Sequence, residues 1–122
     1  MPTELRELNQ LVTLAIMRAE QIADGSSAAL VAYHEVSQLE EQIAALTSNA
    51  SAEGAFARDG AVRAALRSDE PLRAAFLAER YIEEDGVPDR LRAALSELLR
   101  QAQAALPNGD ADVQAVEFQL AA

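Results

Sequence analysis

Cysteine is absent from the 122 residues, which removes disulfides, thiolate metal sites and cysteine nucleophiles together. Tryptophan is also absent, and there are only two tyrosines and three phenylalanines. The single histidine, His34, rules out metal sets and acid–base schemes that need two imidazoles. The five glycines stand singly, so neither a phosphate-cradling loop nor a dinucleotide-binding turn can be assembled, and there is no serine-centred elbow. Apolar stretches such as 14–17 and 28–33 fall far short of the roughly 20 residues a membrane span needs. The opening residues Met1-Pro2-Thr3-Glu4 lack the basic-then-apolar pattern of a secretory signal, so a cytoplasmic chain is expected.

Positive charge is scarce as well. Ten arginines and no lysine stand against twenty acidic residues, for a net charge of −10. Phosphate backbones are held by clustered positive charge, so direct nucleic-acid binding is not expected. An anionic membrane surface repels such a chain, so no membrane partner is expected either. A basic protein partner is compatible with this balance, and so is simple solubility.

The residues that are plentiful point one way. Alanine dominates, followed by Leu, Glu, Arg and Gln, the residues that lose least side-chain freedom in a helix. The expected fold class is all-α, a four- to five-helix bundle built on an N-terminal antiparallel helical hairpin. Residues 1–109 form the bundle domain and 110–122 a C-terminal tail, read as a short helix or an extended docking segment.

Thr3 is positioned to cap a first helix over 4–24, with Leu5, Leu8, Val12, Ala15, Ala19 and Ile22 on one stripe. Gly25 stops it, and Ser26-Ser27 offers a cap for a second helix over 27–46. That second helix carries the cleanest heptad: Ala29, Ala32, Val36, Leu39, Ile43 and Leu46. Ser51 caps a third, short helix that Asp59-Gly60 interrupts before it resumes over 62–66. Asp69-Glu70-Pro71 starts a fourth helix running to about residue 84, broken by Asp85-Gly86. Pro88 opens the fifth, with Leu91, Leu95, Leu98, Ala102 and Leu106 on one face, and Pro107-Asn108-Gly109 closes it. The helix pair near 69–95 has no second copy at a repeat period, so a repeat architecture is rejected.

Catalytic and metal motifs fail residue by residue. His34-Glu35-Val36-Ser37-Gln38 has Gln38 where a zinc-protease helix needs its second histidine. A di-iron bundle needs two Glu-x-x-His pairs, and there is none. Glu4-Leu5-Arg6-Glu7 has the first half of a magnesium-binding helical pyrophosphatase pattern without the second. Asn108, Asp110 and Asp112 have calcium-loop spacing, but Val113 and Gln119 occupy the two diagnostic positions. Helical ribonuclease toxins place an arginine shortly before the histidine on one helix, whereas Arg18 here lies on the preceding one. No catalytic residue, metal ligand or cofactor is therefore expected.

Two surfaces remain. Glu79, Glu83, Glu84 and Asp85 gather at a helix C-terminus, where the backbone dipole favours cations, with Asp89 just beyond; together they suit a basic partner. Leu11, Leu14, Leu30 and Val31 give the first two helices more apolar surface than one internal face can use, and suit self-association as a homodimer. In the tail, Val116, Phe118 and Leu120 alternate with polar residues, as in a strand docked on a partner. The leading expectation is a non-catalytic interaction module such as an adaptor, assembly factor or small regulatory subunit. The alternatives are an acidic inhibitor or nucleic-acid mimic, and a ligand-binding or catalytic pocket at Tyr33, His34 and Glu35.

Overall fold

The computed structural model describes residues 2–107; the tail, with Val116, Phe118 and Leu120, and the boundary at 109 lie outside the described residues. Five helices follow in chain order: α1 Thr3–Glu20, α2 Ser27–Ala45, α3 Ala52–Arg67, α4 Pro71–Ile82 and α5 Asp89–Ala105. No strand occurs among the described residues. No described helix is long and apolar enough to cross a membrane.

Neighbours in sequence pack as neighbours in space, and α3 additionally touches α5. α1 is about 27 Å long by its helical rise, further than the short link 21–26 can carry a chain back, so α1 and α2 pack antiparallel. Leu8, Val12, Val36, Leu39 and Ile43 are all buried in one core cluster. The stripe read from the sequence is thus the stripe that packs.

α1 ends at Glu20 rather than at residue 24. The Gln21 and Ile22 amides bond back three residues, to Arg18 and Ala19, which tightens the last turn and releases the chain. Ile22 then packs, half-buried, on the core. At the other end Pro2 holds the cap position, and Thr3 is the first helical residue and makes no cap bond. Ser26 and Ser51 do cap: their hydroxyls accept from the Ala29 and Gly54 amides.

α3 is the hub, touching α2, α4 and α5. A helix with neighbours on several sides needs small residues on several sides, and its buried residues include Gly54, Ala57, Ala61, Ala64 and Ala65. Gly54 is required by close approach, since a Cβ there would lie 1.8 Å from the Ser48 carbonyl oxygen. The interruption expected at Asp59-Gly60 does not occur; α3 is continuous through both. Gly60 is a packing residue, because a Cβ on it would come within 3.1–3.2 Å of the Glu40 carboxyl group on α2.

The α3–α4 junction also differs from the reading of Asp69 as a helix start. Asp69 is the left-handed residue that closes α3, with φ of 59°. The Glu70 amide bonds the Ala65 carbonyl and the Asp69 amide bonds the Leu66 carbonyl, which is a Schellman closure with aspartate in the usual glycine position. Glu70 then takes the cap position of α4, ahead of Pro71. Pro88, read as the opening of the fifth helix, holds the cap position of α5, and Asp89 is the first helical residue.

Candidate functional site

The cluster imagined around His34 does not form. Tyr33, His34 and Glu35 fan out to three different partners: the Tyr33 hydroxyl accepts from Arg67 at 3.2 Å, His34 Nδ1 meets Glu70 at 2.5 Å, and Glu35 faces Arg18 at 3.7 Å. Burial pushes the Glu70 carboxyl up, but hydrogen bonds from Ser68 and His34 outweigh it and hold the group below the usual carboxylate range. His34 is thus a clamp between α2 and the start of α4. Beside it, Arg73 reaches Ser37 and Glu41 of α2, and Arg80 faces Glu41, so long side chains bridge two helices whose backbones stand apart.

The acidic corner is also partly committed. Glu84 accepts from Arg58 through both carboxylate oxygens, at 2.6 and 3.1 Å. Arg58 is 4 % exposed, donates to the Gly54 and Thr47 carbonyls, and lies 5.5 Å from the Tyr81 ring centre. Arg80 approaches the same ring at 5.7 Å. Burial raises the Tyr81 phenol to about 12, with Glu41 adding to the effect. Glu79, Glu83, Asp85 and Asp89 remain exposed, while the Asp85 carbonyl accepts from Asn49. The sequence contained both Arg58 and Glu84, but nothing in the local pattern joins residues 26 apart. Among the described residues no group of acidic, histidine or cysteine side chains could hold a metal ion.

Two features stand out on opposite sides of α1. On its outer side Leu11 is 52 % and Leu14 57 % exposed, with Met17 exposed beside them. Val31 on α2 is exposed too, whereas Leu30 is half-buried. The exposed positions Glu4, Glu7, Leu11, Leu14 and Arg18 of α1, continued by Gln21 at its C-cap, form one heptad stripe. On the inner side, between α1 and α3, lies a groove of about 410 Å³. Its walls are Val12, Ile16, Ile43, Phe56 and Ala57; its polar groups are Asn9, Thr13, Glu40 and Glu53. Asn9 Nδ2 donates to Glu53 at 2.7 Å across the mouth.

Glu40 is the side chain the sequence reading missed. Leu39 and Ile43 mark the buried face in the heptad, while Glu40 falls outside that heptad and opens the polar run Glu40-Glu41-Gln42, so no local signal sets it apart from an exposed carboxylate. It is instead 5 % exposed. Burial, then the nearby Asp59 carboxylate, pushes it up to about 7. The chain matches no family model, no curated protein and no solved structure.

Proposed function

We propose that the chain is a non-catalytic helical interaction module that self-associates as a homodimer through the outer face of α1. The observation that supports it is the position of α1 among the described helices: its backbone packs against α2, it meets α3 only through side chains at the groove, and it leaves Leu11 and Leu14 exposed. Apolar side chains aligned on one open helix stripe favour a partner over water.

The charges along that stripe favour a second copy in antiparallel orientation. A two-fold axis between Leu11 and Leu14 sets each Leu11 opposite the Leu14 of the other copy. The same axis sets Glu7 opposite Arg18 twice, and Glu4 opposite Gln21 twice. A parallel pair would instead oppose Glu7 to Glu7 and Arg18 to Arg18. Like-charge opposition of that kind steers a helix pair away from the parallel register. Among the described residues Arg18 is held by an exposed, 3.7 Å pair with Glu35, a weak tie that a neighbouring copy can replace.

The face is small, and a dissociation constant of order micromolar is expected. Leu14→Glu places a charge at the centre of the seam. It should abolish self-association in light scattering while leaving the melting temperature of the monomer unchanged, because Leu14 is not core. Unaltered association in Leu14→Glu would remove α1 from the interface. Loss of association on deleting the residues after Asn108, with Leu14→Glu silent, would move it to the tail.

A further inference from the structure

We propose that the groove between α1 and α3 is a binding site for a compact organic cation, a primary ammonium or guanidinium head carried on an apolar stem, with Glu40 as its anionic floor. Glu40 is 95 % withdrawn from solvent, lines the groove, and receives no hydrogen bond or ion pair from the described residues. An acidic side chain in such a place either keeps its proton or takes a cationic partner from outside. Gly60 leaves the space in which the Glu40 carboxyl rests, since any larger residue would press on it at 3.1–3.2 Å.

The rest of the groove selects among ligands. No basic residue is among the described residues that line it, and the second carboxylate, Glu53, stands half-buried at the mouth, so an anion is disfavoured. Among the described residues no three acidic, histidine or cysteine side chains gather here around one point. Val12, Ile16 and Ile43 line an apolar wall that suits an aliphatic stem rather than a hydrated ion. Phe56 is 74 % exposed beside the opening, so part of its ring is free to cover a cationic head.

Protonation sets the pH dependence. Glu40 is held at about 7 by burial and by Asp59, which itself pairs with Arg63. From α1 the facing groups are the neutral Asn9 and Thr13; from α3 they are Glu53 and Asp59; Glu41 on α2 turns instead to Arg73. A cation binds the ionised form, so affinity should rise between pH 6 and pH 8 and binding below pH 7 should release a proton.

The test titrates the full chain with n-pentylammonium chloride and with Nα-acetylarginine methylamide, following the Ile16, Ile43 and Phe56 resonances by NMR. Saturable shifts at pH 8 are expected, weaker at pH 6. Glu40→Gln should weaken binding by at least about tenfold while the variant remains folded. Tighter binding of pentylammonium assigns the site to free amines; tighter binding of the arginine derivative assigns it to an arginine side chain. Absence of saturable shifts overturns the proposal. So does equal binding of n-pentanol, or of Glu40→Gln, because either would reduce the groove to an apolar cleft. The groove and the outer stripe of α1 lie on different faces, so neither result bears on self-association.

Discussion

Arg58 and Glu40 are both charged side chains withdrawn from water, and the difference between them is partnership. Arg58 has a bidentate carboxylate, two carbonyls and an aromatic face, and it ties α3 to the α2–α3 link and to the end of α4. Removing its counter-charge leaves a buried cation exposed to the full desolvation cost. Glu84→Ala should therefore cost roughly 2–4 kcal/mol in chemical denaturation, the lower part of the buried-pair range because Glu84 itself is partly exposed. A loss below half of that would mean that the carbonyls alone satisfy Arg58.

Glu40 makes the opposite prediction. Its folded value, about 7, lies above its ordinary value, so the native chain holds a proton that the unfolded chain releases. The stability it contributes is present below about pH 4.5 and falls as pH rises toward 7, after which the penalty is constant. Glu40→Gln keeps the shape without the charge. It should be more stable than the natural chain by about 1–3 kcal/mol at pH 8 and nearly equal to it at pH 4. A denaturation series across that range checks the sign, and a variant destabilised at pH 8 would show that the charged form is the one that is satisfied.

At the scale of elements, α2 was legible because Val36, Leu39 and Ile43 repeat at heptad spacing and bury together. α4 was legible because Pro71 fits a first turn. α3 was misread at Gly60 because glycine usually costs about 1 kcal/mol inside a helix, and what compensates it here is a side chain 20 residues away. This coupling has a consequence. Gly60→Ala should destabilise the natural chain, yet become neutral or stabilising when Glu40 is replaced by alanine, a sign change that a double-mutant cycle reads directly. Additive effects would show that Gly60 and Glu40 do not share that space.

Asp69 was misread for a related reason. Aspartate before Glu-Pro is a familiar helix start, and only the bonds from Glu70 and Asp69 back to Ala65 and Leu66 reveal a helix end. Asp69→Gly should raise stability by a few tenths to about 1 kcal/mol, by relieving the left-handed backbone at φ 59°. A lower melting temperature for Asp69→Gly would mean that the aspartate side chain, and not the backbone, holds the junction.

On the scale of the whole molecule, composition alone carried the fold class, since an alanine- and leucine-rich chain with heptad stripes has few alternatives to packed helices. The groove was not legible, because its parts come from three helices and no local motif relates Val12, Glu40 and Phe56. The outer stripe was half legible: Leu11 and Leu14 stood out as surplus apolar residues, while the matching of Glu7 with Arg18 appears only once α1 is seen to be open on that side. The central claim, an antiparallel α1 pair, is tested most directly by sedimentation equilibrium on charge reversals. These are best made in a Glu35→Gln background, which removes the internal partner of Arg18. Glu7→Arg alone and Arg18→Glu alone should each weaken the dimer several-fold, and the double reversal should restore it. A monodisperse monomer at high micromolar concentration, or reversals that leave the association constant unmoved, would contradict the account.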